Sequence, residues 1–131
     1  HGRGEHENYI DRKASAFVGT YQAKVSERMV SYLMPQECGN MTGVRRLTIA
    51  GRNGGSLTFT GFPEVEANVL PYTPEEMELA VHQKDLKPSE KTVVRINYRQ
   101  TGVGGDDARA HEEFRIKGDG TYHFAFEVKP E

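Results

Sequence analysis

Apolar and polar side chains alternate most cleanly between Thr92 and Tyr98, where Val94, Ile96 and Tyr98 oppose Val93, Arg95 and Asn97. A period of two puts each set on one face of an extended chain, so this stretch predicts a strand at or near the centre of a sheet. Val44 to Ala50 and Ser56 to Thr60 flank Gly51, Arg52, Asn53, Gly54 and Gly55, and together predict a hairpin. Leu47 and Ile49 share one face of it, as do Leu57 and Phe59 on the partner strand. Arg45 and Arg46 are adjacent in a strand, so one of them is expected to enter the interior with a partner or to lie at a strand end. Met29 to Met34 predicts another strand, with Val30, Tyr32 and Met34 on one face and Pro35 ending it. Tyr21 to Val25 predicts a short one.

Toward the end of the chain, Phe114 to Lys117 and Tyr122 to Val128 bracket a turn at Gly118, Asp119 and Gly120. Tyr122, Phe124, Phe126 and Val128 fall on one face, which is expected to supply much of the aromatic core. Each buried ring there would stabilise by roughly 1.5 to 3 kcal/mol. The one helix signal lies between Pro71 and Gln83. Thr73 is placed as N-cap, Pro74 occupies the first turn, and Glu76 completes a capping box. Met77, Leu79, Ala80 and His82 are its docking candidates.

Composition fits this picture. The 131 residues make room for one domain and one core, and 14 glycines and 6 prolines against 36% hydrophobic residues favour turns and antiparallel sheet. Such a composition also suits a piece of a larger body whose missing part covers apolar surface. Lys and Arg number 17 against 19 Asp and Glu, a formal charge of -2, which sets aside nucleic acid and anionic membranes as partners. Apolar runs fall far short of the roughly 18 residues of a membrane span, so a soluble chain is expected. Cys38, the single cysteine, excludes an internal disulfide and does not separate cytoplasm from periplasm.

The most tightly specified loop is GVGGDD, Gly102 to Asp107, which follows the Thr92 to Tyr98 strand. Its glycines permit positive φ and close approach of another group. It serves either as a tight bend whose aspartates accept backbone N–H bonds, or as a lining loop facing a ligand. Asp106 and Asp107 are neighbours on an extended backbone and point apart, a poor arrangement for flanking a glycosidic bond. Gly2 to Arg12 shows no period and reads as a loop, with Glu5, His6, Glu7 and Asp11 as solvated surface rather than metal ligands. PQECGN, Pro35 to Asn40, reads as a turn that satisfies its own backbone, with a binding rim as the alternative. The histidines, His1, His6, His82, His111 and His123, are dispersed without metal spacing, and neither a nucleophile elbow nor a phosphate loop is present.

Three segments, GRGEHENYIDR at Gly2 to Arg12, YLMPQECGN at Tyr32 to Asn40 and YRQTGVGGDD at Tyr98 to Asp107, resemble the C-terminal small-chain domain of glycoside hydrolase family 2 β-galactosidases. Their order and separation match the family too, with Pro71, Tyr72 and Thr73 between them. The resemblance implies an all-β fold with one short helix, an antiparallel β-sandwich forming part of a galactose-mutarotase-like supersandwich. Residues 1–131 would be its C-terminal part, without the N-terminal half of the domain. It implies a parent enzyme that hydrolyses terminal non-reducing β-D-galactose residues by a retaining mechanism, with two glutamates in a separate barrel domain. It implies no catalytic residue, metal ligand or cofactor in this chain, magnesium and sodium in the parent, and a parent that is a homo-oligomer. This domain would form part of the active-site wall and assembly surface, inactive on its own, with the rest of the enzyme chain and the galactoside as partners.

Gly104, Gly105, Asp106, Asp107, Ala108 and Arg109 are the substrate-adjacent candidates. In the family the loop is commonly followed by a small residue and a tryptophan that stacks on the acceptor sugar. Ala108 and Arg109 stand there, and Arg46 also stands where the family often has tryptophan. A guanidinium can bond hydroxyls and lie against a ring but lacks the apolar breadth of indole. The alternative functions are a free-standing carbohydrate-binding module and a structural interaction module.

Overall fold

The structure is a computed structural model and describes residues 1–105 and 109–131. It is organised on the expected hairpin, grown well beyond its predicted length: β3, Met41–Ala50, and β4, Ser56–Leu70. Gly51 N–H closes the turn onto Gly55 O at 3.0 Å, with Gly54 and Gly55 at φ of 84° and 77°. Leu47 pairs with Phe59 and Ile49 with Leu57, in the register the alternation requires. β4 continues past Thr60 because it has neighbours on both sides. β3 runs along one edge, while β6, Ala125–Pro130, and β5, Val93–Asn97, share the other.

Pairing of β3 with β4 breaks between Val44↔Val65 and Arg46↔Thr60. Pro63, which has no N–H to donate, lies inside this break, where a lost ladder bond is harmless. Gly61 permits it: a Cβ there would lie 2.9 Å from Val65 N. The irregularity also resolves the Arg45 and Arg46 conflict in an unexpected way. Neither enters the interior; both are exposed, and Arg46 meets Glu131 at 3.5 Å.

Several expected elements are replaced. Gly2–Gly4 is not loop but β1, paired antiparallel with β2, Phe17–Gly19. Tyr21 to Val25 forms no strand; the Tyr21 side chain instead covers Gly4 and Gly19, where a Cβ would come within 2.6 Å of its ring and 2.9 Å of its hydroxyl respectively. Met29 to Met34 forms none either, since Tyr32 N–H turns back to Val30 O at 3.0 Å. Met29, Val30 and Tyr32 pack against the buried cluster of Cys38, Leu70 and Met77, while Met34, on the predicted face with Val30 and Tyr32, is 59% exposed. The helix α1, Pro74–Leu79, carries the capping box: Glu76 N–H donates to Thr73 Oγ1 at 3.2 Å and Thr73 N–H to Glu76 Oε2 at 2.7 Å. Met77 docks it, whereas Leu79 is 83% exposed.

The last segment departs furthest. Phe114 to Lys117 forms no strand, a single 3₁₀ turn at Glu112–Phe114 leading into it instead, and β5 borders only β4 among the described residues, an edge position rather than a central one. Tyr122, Phe124, Phe126 and Val128 do not build a core; they are 38 to 45% exposed. With Phe59, opposite Val128, they form a continuous aromatic face. Phe59 and Phe126 lie 6.5 Å apart, Phe124 and Phe126 6.1 Å, Tyr98 and Phe124 6.2 Å, Tyr98 and Tyr122 5.1 Å. Buried apolar clusters sit elsewhere, around Leu70 and around Val44, Val65 and Ala67. The architecture is therefore mostly β, with antiparallel sheets and one short helix. No helix among the described residues is long and apolar enough to cross a membrane.

Candidate functional site

The three segments singled out in the sequence converge. Glu7, taken as solvated surface, is buried: Gly39 N–H donates to its carboxylate at 2.8 Å, Tyr9 OH at 3.4 Å, Arg12 at 3.5 Å, and Tyr32 OH also donates to it. Asn8, fully buried, accepts from Thr42 N–H at 2.9 Å and Thr42 Oγ1 at 2.6 Å, while its own N–H donates to Asn40 O at 2.8 Å. Asn40 Nδ2 donates in turn to Asn8 O at 3.1 Å and to Glu66 of β4 at 2.9 Å. Gln100 N–H donates to the same Glu66 oxygen at 2.9 Å. PQECGN is thus not a self-satisfied turn. Its polar groups reach across the fold, and Glu37 forms a forked pair with Arg95 of β5 at 2.5 and 2.8 Å.

This network braces the glycine loop. Asp11 accepts from Val103 N–H at 3.1 Å and Gly104 N–H at 2.8 Å, and Gly102 N–H donates to Phe114 O at 2.9 Å. Gly102 is required because a Cβ would meet the Asp11 carboxylate at 2.5 Å, and Gly104 because its φ is +72°. The carboxylate that caps this bend comes from 92 residues upstream of Val103, a partner no local reading finds. Gly104, Gly105 and Arg109 are exposed; Asp106, Asp107 and Ala108, also substrate-adjacent candidates, lie outside the described residues.

Burial dominates the electrostatics. It pushes the Glu66 carboxyl above its ordinary range, although Asn40, Gln100, Arg99 and Lys13 all pull it down. It raises the Tyr9 phenol, helped by the Glu7 charge, and it raises the Cys38 thiol. Glu7 and Glu66 are each committed to donors inside the fold, so they hold loops rather than present acids to a substrate. Among the described residues no group of three or more His, Cys, Asp or Glu could hold a metal. Sequence reasoning missed the buried roles of Glu7, Asn8, Asn40 and Glu66, and of Asn68, whose Nδ2 donates to Glu37 Oε1 at 3.1 Å and to Cys38 O. In EVEANVL, Glu66 and Asn68 alternate with Val65, Ala67 and Val69, a pattern that normally sends polar residues to water. Here both faces of β4 are covered from Val65 to Leu70.

The geometry is that of a mostly β domain with antiparallel sheets, whose interior polar network holds loops in place. The chain belongs to the beta galactosidase small chain family, which it matches over residues 1–128. It is 44% identical to a beta-galactosidase of Priestia megaterium, 39% to one of Halalkalibacterium halodurans and 36% to one of Streptococcus thermophilus. These matches take in 99%, 95% and 99% of the chain respectively, but only 13% of each relative's length.

Proposed function

We propose that the chain is the C-terminal part of the small-chain domain of a β-galactosidase, a noncatalytic piece that forms part of the active-site wall and assembly surface. The parent would hydrolyse terminal non-reducing β-D-galactosides by a retaining mechanism with two glutamates in a separate barrel, using magnesium and sodium held outside this chain. The observation that carries this reading is the bare aromatic face of β4 and β6. Apolar sheet faces need a second layer, and that layer would be the N-terminal half of the domain, closing a β-sandwich. The braced glycine loop then becomes the part that reaches the cleft, with Gly104, Gly105, Asp106, Asp107, Ala108 and Arg109 beside the acceptor sugar.

A chromogenic β-galactoside tests this directly. The isolated chain is expected to give no turnover and the full-length enzyme robust turnover; activity that copurifies with the isolated chain overturns the reading. In the full-length enzyme, Arg109→Trp is expected to shift the ratio of transglycosylation to hydrolysis more than the hydrolysis rate itself, since an indole offers an acceptor sugar a broad apolar face. An unchanged ratio would remove Arg109 from the acceptor side.

A further inference from the structure

A cavity of about 370 Å³ opens where β1, the start of β3 and the break in β4 meet the residues after β5. Its wall carries Arg3, Lys13, Arg45, Arg99 and His123. The opposing carboxylates are Glu64 and Glu66, and Glu66 already accepts from Asn40 and Gln100. Four permanent cations therefore face two carboxylates, and among the described residues none of the four is in an ion pair. Arg99 is the most poorly served. Among the described residues its buried Nε has no hydrogen-bond partner, and its Nη2 reaches only Arg115 O, at 3.4 Å. A buried N–H left unbonded is destabilising, more so on a charged group, so this arrangement favours an acceptor brought from outside.

The cavity's surplus of two positive charges fits a dianion, and guanidinium forks match the oxygen geometry of phosphate. Its volume exceeds that of phosphate alone, and Phe62, which is not part of the aromatic face proposed to be covered, supplies an apolar side for an organic substituent. We propose that this cavity binds a phosphate monoester, with Arg99 as the principal donor to the phosphoryl oxygens and Phe62 against the ester group. The site is separate from the galactoside-cleaving carboxylates of the preceding reading, and it rests on that reading in that the full-length enzyme is the test material and its second layer leaves the mouth of the cavity open.

Calorimetric titration of that enzyme with inorganic phosphate and with phenyl phosphate, at constant ionic strength, tests the site. Saturable binding is expected, tighter for the ester. Arg99→Gln should weaken it about tenfold or more, the usual scale of a lost charge-assisted bond. Arg46→Gln, outside the cavity wall and paired with Glu131, should leave it unchanged. Should Arg99→Gln fail to fold, Arg99→Lys keeps the charge but loses the Nε donor, and an intermediate weakening is expected. Absence of saturable heat at millimolar ligand overturns the proposal. So does equal weakening by Arg46→Gln, which would mark general screening. A full-length enzyme that binds no phosphate yet melts earlier with Arg99→Gln would show the cavity filled by the enzyme's own carboxylate, which also overturns it. Hydrolysis of the chromogenic galactoside is read in parallel, so a failed phosphate site and a failed β-galactosidase reading remain distinct.

Discussion

Glu66 shows how much a single side chain can depend on residues remote from it. Its oxygen is held by Asn40 and by the Gln100 N–H, and burial lifts its pKa above that of the unfolded chain. Below the unfolded value, near 4.3, the carboxyl is protonated in both states and its contribution is fully favourable. As pH rises from there through the folded value, the unfolded state ionises first and stability is lost. Glu66→Gln keeps an acceptor for both donors and removes the charge. Its gain in melting temperature over the unsubstituted protein should therefore be absent at pH 4 and grow through the mildly acid range; a pH-independent difference in thermal unfolding would contradict this. Nothing around Glu66 in the sequence announces such a role, because a carboxylate between Val65 and Ala67 has the pattern of a wet strand face.

At the scale of elements, the signals that survived are those with local causes. The hairpin register follows from alternation plus a glycine turn, and the helix start follows from Thr73 and Glu76, which bond each other. The GVGG loop is a mixed case. Its glycines marked a special backbone, while the reason for them, the Asp11 carboxylate, was not visible nearby. Replacing Gly104 with alanine should cost about 1 to 2 kcal/mol, since its φ is +72°. Gly105→Ala should change stability by no more than about 0.5 kcal/mol, with open space around a Cβ there. Equal shifts in the urea midpoint for the two variants would discard this account. Met29 to Met34 misled for the opposite reason: apolar positions spaced by two can pack against Leu70 and Met77 without any ladder.

Over the whole molecule the deciding feature is the aromatic face. Phe126 is 40% exposed, beside Phe124 and Phe59. In the isolated chain, Phe126→Ser should be close to neutral for stability and should lower binding of the dye ANS. In the full-length enzyme, where the proposed second layer covers the ring, the same change should destabilise by about 3 to 5 kcal/mol. Neutral behaviour in both settings would mean that the face stays wet and that no sandwich closes over it. The expected aromatic core is correct about which residues share a face and wrong about what lies on top of them, because periodicity reports direction and carries no information about a second layer.

Short-range order, then, was legible from the chain alone: the β character, the hairpin and its facing pairs, the capped helix and the unusual glycine loop all arise from contacts within a few residues. The family resemblance was legible too, in three separated motifs. What brings those motifs together is a set of hydrogen bonds, buried ones spanning 32 residues from Glu7 to Gly39 and 34 from Asn8 to Thr42, and an exposed one spanning 93 from Asp11 to Gly104. Bonds of that range exist only after the chain has closed on itself. Burial of Glu7 and Glu66, capping of the loop and exposure of the aromatic face were therefore decided by the tertiary structure.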